Sequence, residues 1–265
     1  MAPDLLSPAA IREDLGTGFV GQNLVYVQQT GSTNDDARRL AREGAPEGTL
    51  VITEFQSAGR GRLDRAWVAP HGSSLLISIL FRPNLAPHQV QRLTMSCGLA
   101  VADAIQAQTG LRAGLKWPND LLIGGAKAGG ILTEIGLEGQ EVGYAVVGIG
   151  LNVNLQPAQL PAGLHTPATS LSHEVGAKVA RLPLLQSLLQ RVEQQYLALK
   201  AGRSPHRDWA ARLVTLGKPV VVTVFDSVLE GIAEDVDADG ALLVRLADGR
   251  LERVLAGDVS IRRQG

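Results

Sequence analysis

The chain has 265 residues, 45% of them hydrophobic and 19% charged, with a formal net charge of -1. That length suits one large domain, or one large and one small, and the composition excludes a disordered chain. The charge gives no global field toward nucleic acid or an anionic membrane, the single Cys97 excludes an internal disulfide or thiolate cluster, and no apolar run is long enough to span a bilayer. Met1 to Asp14 carries charges where a signal peptide needs an apolar core, so a cytoplasmic protein is expected.

Residues 1–23 read as a polar lead-in with one short helix around Ala9–Leu15. That is too little for a winged or helix-turn-helix module, so no DNA binding is expected. A strand is predicted at 24–27. The hydroxyl and acid of Thr33 and Asp36 then read as a capping box opening a helix that Gly44 stops. Strands at 50–55 and 74–81 follow. From Pro87 to Thr109, Val90, Leu93, Cys97, Val101, Ala104 and Ile105 recur at three- and four-residue steps, an amphipathic helix ended by Gly110. Cys97, on its apolar stripe, reads as a small core residue.

A meander comes next: a strand at 112–117, a turn at Pro118-Asn119-Asp120, then strands at 121–123, 128–137 and 144–150. Helices are predicted at 182–200 and 205–213. After Gly217 five short β runs, at 219–225, 228–235, 241–246, 250–255 and 258–262, alternate with Asp/Gly turns, as in a small β-barrel. The expected division is a mixed α+β domain over 1–216 and a small all-β domain over 217–265.

Between the second and third strands stands Gly59-Arg60-Gly61-Arg62-Leu63-Asp64-Arg65-Ala66-Trp67. Its glycines let backbone approach a ligand, its arginines offer forked cations to carboxylate or phosphate, and its tryptophan can cover a flat group. It is no dinucleotide fingerprint, because Asp64 stands where the third glycine belongs, and Gly148-x-Gly150 fails likewise at Val153. In Lys116-Trp117-Pro118-Asn119-Asp120, proline extends the tryptophan and sets two polar residues at a turn. The pentad reads equally as an ordinary turn over a buried Trp, or as a site where Asp120 holds Mg2+. Lys127 sits among Gly124, Gly125, Gly129 and Gly130, where an ammonium can reach a closely approached anion. Gly148-Ile149-Gly150-Leu151-Asn152 ends a strand in two small residues and an amide.

His71, His88, His165, His173 and His206 show no metal-ligand spacing and read as surface or capping residues. Asp235-x-Asp237-x-Asp239-Gly240 begins like an EF-hand, but Leu246 stands at the required glutamate and β runs flank it, so a hairpin turn is expected.

In this order, Gly31-Ser32-Thr33-Asn34, Gln56 with Gly59–Arg62, Arg65-x-Trp67, Lys116–Asp120, Lys127 with Gly130-Ile131-Leu132, and Gly148–Val153 resemble the biotin–protein ligase family over about Tyr26 to Arg262. The resemblance implies the class II synthetase-like mixed-sheet fold of biotin/lipoate ligases and a C-terminal SH3-like barrel. It implies two-step chemistry with ATP, Mg2+ and biotin: biotinyl-5′-AMP forms, and its acyl group passes to a lysine of a biotin carboxyl carrier protein. By resemblance Ser32, Thr33, Asn34, Gln56, Gly59, Arg60, Gly61, Arg62 and Lys127 line the biotin pocket. Arg62, Arg65, Trp67, Lys116, Asn119, Asp120 and Asn152 surround ATP or the adenylate, Asp120 is the candidate Mg2+ ligand, and Lys127 and Arg62 carry the catalysis.

Two positions depart from the family pattern: Asp64 replaces a usual glycine, and Ala128 a larger apolar residue. The rival readings at this point are a lipoate–protein ligase, a biotin-responsive DNA-binding repressor, and a non-catalytic adenylate-binding module. The sequence fits either a monomer or a homodimer.

Overall fold

The structure, a computed structural model, describes residues 6–63, 65–159, 167–224 and 227–261. Asp64, His165 and Arg262 lie outside these residues. In chain order the first elements are α1 (Pro8–Arg12), β1 (Leu24–Thr30), α2 (Thr33–Arg42), β2 (Leu50–Gln56), β3 (Ser74–Phe81) and α3 (Gln91–Thr109). The meander is β4 (Gly114–Lys116), β5 (Asp120–Ile123), β6 (Ala126–Glu138) and β7 (Glu141–Asn152). Helices α4 (Leu171–Val175), α5 (Arg181–Lys200) and α6 (His206–Ala210) lead to β8 (Pro219–Val224), β9 (Ser227–Val236), β10 (Leu242–Arg245), β11 (Leu251–Val254) and β12 (Asp258–Ile261).

Strands β1–β7 form a sheet in the order β1-β2-β3-β7-β6-β5-β4. Only β1 and β2 pair in parallel, and α2 is the crossover that a parallel pair requires. The sheet is mixed because every other connection is antiparallel. Central β3 is buried along its whole length, which needs cover on both faces and explains its nearly unbroken apolar run. Leu50, Ile52, Ile77, Ile79, Phe81, Val147 and Ile149 face the core shared with α3 and α5. The alternate residues Val51, Leu80 and Val146 pack on Ala37 and Ala41 of α2. Helix α2 is short and covers only part of its face, and the rest of that face carries the site.

The second sheet runs β11-β10-β9-β8-β12, entirely antiparallel. The hairpin reading of residues 235–240 holds: Asp237 Oδ1 accepts from the backbone N–H of Asp239 and Ala241, both at 2.9 Å, within the β9–β10 turn. Among the described residues no helix is long and apolar enough to cross a membrane.

Some local expectations change. The Thr33–Asp36 capping box does not form. The N-cap is Ser32, without a side-chain capping bond, and Asp36 instead accepts from Thr30 Oγ1 at 2.6 Å. Thr33 is drawn away because its N–H and hydroxyl both reach Gln56. Pro87–Gln89 is a separate 3-10 turn before α3. The first helix is shorter than expected at Pro8–Arg12, and the last at His206–Ala210.

Candidate active site

The site begins as a bare strip of sheet. Register places Leu76 opposite Gly150, Gly150 opposite Gly130 and Gly130 opposite Asp120, one row across β3, β7, β6 and β5. The next row places Ser78 opposite Gly148 and Gly148 opposite Leu132. Glycine at 130, 148 and 150 leaves room for side chains from elsewhere. An ideal Cβ on Gly150 would lie 2.6 Å from Trp67 Cε2, and one on Gly148 would lie 2.2 Å from Asn34 Oδ1. The two Gly-x-Gly positions are therefore seats for an indole and an amide.

A bulge near Leu121 and Leu122 sets Leu121 against Gly129 but Leu122 against Lys127. The extra residue is Ala128, fully buried, and the shift turns Lys127 onto the same face as Gly130. Lys127 Nζ then lies 2.6 Å from Asp120 Oδ1 and 5.8 Å from the centre of the Trp67 ring. Its backbone is held from the other side, its N–H donating to Pro167 O at 2.6 Å and its carbonyl accepting from Thr169 N at 2.9 Å.

Residues 59–63 and 65–67 close over this strip as the two arms of a small hairpin. Trp67 N donates to Gly59 O at 2.9 Å, Gly61 N donates to Arg65 O at 2.6 Å, and Leu63 has φ of 53° at the tip. Arg60 leaves the hairpin sideways to a bidentate pair with Asp35 at 2.7 and 3.0 Å. Arg65 pairs with Asp258 of β12, so the hairpin touches both sheets. The Trp67 Nε1–H is buried with no partner among the described residues.

Together these residues bound a cavity of about 630 Å³. It contains every expected site residue except Gly59: Ser32, Thr33, Asn34, Gln56, Arg60, Gly61, Arg62, Arg65, Trp67, Lys116, Asn119, Asp120, Lys127 and Asn152 all line it. Asp258, Val259 and Ser260 of the second sheet also line it, a contribution the sequence reading missed.

The cavity has two chemically different ends. At one, Gln56 Oε1 accepts from the backbone N–H of Thr33 at 2.8 Å, which turns the Gln56 amide NH2 away from α2. Ser78, also missed, lies 2.8 Å from Thr33 Oγ1 and 2.6 Å from Asn34 Oδ1. This end is neutral, and Leu76 and Leu132, on the same face of the sheet as Gly148 and Gly150, add apolar lining.

The other end gathers Lys116, Lys127, Arg62 and Arg65 around Asp120 and Asp258. Burial is the largest influence on Lys116 and Arg62 and lowers the pKa of each. Asp120 partly offsets this for both, while Lys127 and Arg65 lower Lys116 further. Asn119 Nδ2 donates to Ile131 O at 2.5 Å and Asn152 Nδ2 to Thr169 O at 3.0 Å, so both amides brace the walls. Trp117, joined to Pro118 by a cis peptide, is buried and donates from Nε1 to Gly240 O at 2.9 Å. A cationic, partly desolvated end joined to a neutral apolar end suits a ligand that is anionic at one extremity only.

The Biotin/lipoate A/B protein ligase family pattern matches residues 25–152, and the Biotin protein ligase C terminal domain pattern matches residues 215–262. The chain is 36% identical to the biotin--[acetyl-CoA-carboxylase] ligase of Mycobacterium tuberculosis over 262 residues, covering 96% of this chain and 95% of that protein. It is 35% identical to the bifunctional ligase/repressor BirA of Bacillus subtilis over 261 residues, 98% of this chain and 80% of the relative. Its fold matches the Aquifex aeolicus biotin protein ligase solved with biotin and ATP at a TM-score of 0.77 and 28% identity, over 92% of this chain and all of that one. With relatives this similar along nearly the whole chain, and the two-ended cavity enclosed between both matched regions, this protein belongs to the biotin protein ligases of the biotin/lipoate A/B protein ligase family.

Proposed function

We propose that the protein activates biotin with ATP to biotinyl-5′-AMP and passes the biotinyl group to a lysine amine of a biotin carboxyl carrier protein. The observation that carries this reading is the single cavity with a neutral hydrogen-bonding end at Thr33 and Gln56 and a cationic end at Lys116 and Lys127. Biotin is a polar ureido ring on an apolar chain ending in a carboxylate, and that sequence of properties runs the same way. The names of the Mycobacterium tuberculosis relative and of the biotin- and ATP-bound Aquifex aeolicus structure support it.

In the first step a carboxylate oxygen of biotin attacks the α-phosphorus of ATP, and the bond to the bridging oxygen breaks, releasing pyrophosphate. The protein supplies no nucleophile. Its task is to bring two anions together and to stabilise charge building on phosphate, which Lys127 and Arg62 are placed to do. Lys116, Arg65, Asn119, Asp120 and Asn152 surround the nucleotide in this reading, with Trp67 against the adenylate. In the second step the acceptor amine, having lost a proton, attacks the biotinyl carbonyl and AMP leaves with the phosphate oxygen. The mixed anhydride between the steps is open to hydrolysis, and the 59–67 hairpin is the element that keeps water from it.

Magnesium fits as an ion carried on the triphosphate. Among the described residues no three His, Cys, Asp or Glu side chains converge on a point, and Asp120 is the carboxylate that would meet it. Held there, the ion would screen phosphate charge.

The test is incubation with ATP, Mg2+, biotin and a biotin carboxyl carrier domain, scored by the mass of that domain. A gain of one biotinyl group is expected, and no gain sinks the reading. Lipoate and octanoate supplied in place of biotin are expected to release no pyrophosphate above background.

A further inference from the structure

Glu134 lies on β6, on the same face as Gly130 and Leu132, just past the strip that the ligand would cover. Its side chain is 24% exposed. One oxygen, Oε2, accepts from Asn34 Nδ2 at 2.7 Å. Both oxygens lie 3.3 Å from Arg60 Nη2, and Oε1 accepts from Arg38 Nη1 at 3.2 Å. One carboxylate therefore touches the covering hairpin through Arg60 and the pocket wall through Asn34.

The Asn34 contact runs on into the pocket. A carboxylate can only accept, so Asn34 must turn its NH2 toward Glu134, where it also donates to Leu132 O at 3.3 Å. Its Oδ1 then faces Ser78, and Ser78 touches Thr33, whose N–H holds Gln56 Oε1. Glu134 thus sets the sense of Asn34 and of its Ser78 contact on the wall of the ureido end, while the Thr33 N–H, which can only donate, orients Gln56 beside them. The Arg60 contact works on the other side. Arg60 carries no visible role toward the cationic end, since Asp35 and Glu134 take its guanidinium.

On the reading of this cavity as the biotin and adenylate site, we propose that Glu134 is a positioning residue for both halves of it. Through Asn34 it fixes the hydrogen-bonding sense of the ureido end, and through Arg60, together with Asp35, it latches the 59–67 hairpin shut. Glu134 touches no substrate itself.

Two substitutions separate the roles. Glu134→Gln keeps an oxygen for Asn34 but loses the charge that holds Arg60. Trypsin should then cut after Arg62 or Arg65 about fivefold faster, and preformed biotinyl-5′-AMP should escape about fivefold faster, as loss of a partly exposed ion pair implies. Glu134→Leu removes both contacts and should in addition weaken biotin binding about tenfold, because the buried Asn34 amide loses its charged partner and keeps only the 3.3 Å bond to Leu132 O. Arg60→Gln, which also gives up the Asp35 pair, should loosen the hairpin at least as much, and the Glu134→Gln/Arg60→Gln double variant should be no worse than Arg60→Gln alone.

Loop cleavage and adenylate escape unchanged in Glu134→Gln would overturn the latch. Biotin affinity no weaker in Glu134→Leu than in Glu134→Gln would overturn the Asn34 role. A uniform rise in cleavage at all sites, with a lowered melting temperature, would mark Glu134 as structural only and overturn both. If either Glu134 variant fails to fold, Arg60→Gln alone still decides the latch. The cleavage assay uses no substrate, so it judges the Glu134–Arg60 contact even if the wild-type protein proves to make no adenylate.

Discussion

Lys127 Nζ and Asp120 Oδ1 lie 2.6 Å apart, with the Lys127 side chain 29% and the Asp120 side chain 20% exposed. The bulge that turns Lys127 onto this face brings the strongest cation candidate and the candidate metal ligand into direct contact. An incoming phosphate must compete with Asp120 for the ammonium. Lys127→Ala therefore loses an attraction and leaves Asp120, without its nearest cation, to repel the triphosphate more strongly. Adenylate formation, followed as pyrophosphate release, should fall about a hundred- to a thousandfold, the usual effect of losing one preorganised charge stabiliser. The melting temperature should change little, because both side chains reach solvent. A rate near wild type would remove Lys127 from the chemistry.

Arg62 differs from its neighbours in the hairpin. Arg60 is tied to Asp35 and Glu134 and Arg65 to Asp258, whereas the Arg62 guanidinium makes no ion pair with any described residue. Burial lowers its pKa, Asp120 offsets this only in part and Arg65 adds to it, so the guanidinium sits among charges without a paired counter-ion. A bound adenylate phosphate would supply one. Arg62→Gly should shorten the lifetime of the bound intermediate about tenfold or more, since charge-assisted hydrogen bonds are the strong ones. Release of labelled biotinyl-5′-AMP into solution measures this, and an unchanged lifetime would count against the assignment.

The Trp67 seat gives a substitution that acts on the hairpin without touching it. In Gly150→Ala the new methyl would lie 2.6 Å from Trp67 Cε2 and 2.8 Å from Cζ2, too close for either to stay. Trp67 is on a loop and Gly150 is locked into β7, so the indole moves. The KM for ATP should rise about tenfold, within the range for losing one aromatic stack on a base. Biotin binding in the absence of nucleotide should change much less. Equal losses for both ligands would show that the methyl disturbs the whole pocket instead.

The sequence carried most of this site because its strongest signals are local. Gly59–Trp67, Lys116–Asp120 and Gly148–Asn152 are each short runs, and most of their described residues line one cavity. What it hid depends on facing and on distance. Ser78 was legible in retrospect, as a hydroxyl in the middle of a strand buried on both faces. Glu134 follows from the two-residue alternation of β6, but only once Gly130 is known to face the site. The Arg65–Asp258 pair joins residues 193 positions apart, across two sheets, and no local pattern announces such a contact. Thr33 misled for a related reason: its hydroxyl suits a cap, but a tertiary partner, Gln56, takes it.

Away from the cavity, Arg181 at the start of α5 and Glu54 on β2 form a buried ion pair at 2.6 Å, only 3% and 5% exposed. Arg181 Nη1 also donates to Ser74 O at 3.1 Å, and Tyr26 Oη donates to Glu54 Oε1 at 3.2 Å. The pair pins α5 to β2 and β3, strands that carry Gln56 and Ser78. Two ions taken out of water at this depth are held by each other, so removing one leaves the other stranded. Arg181→Met should cost about 3–5 kcal/mol, a fall in melting temperature on the order of 10 °C for a chain of this size. The double variant Glu54→Leu/Arg181→Met should recover most of that loss, since an apolar pair replaces a desolvated ionic one. Thermal melts of the two singles and the double, read as a cycle, measure the coupling. Additive losses would mean that the ions are stabilised by their separate neighbours and not by each other.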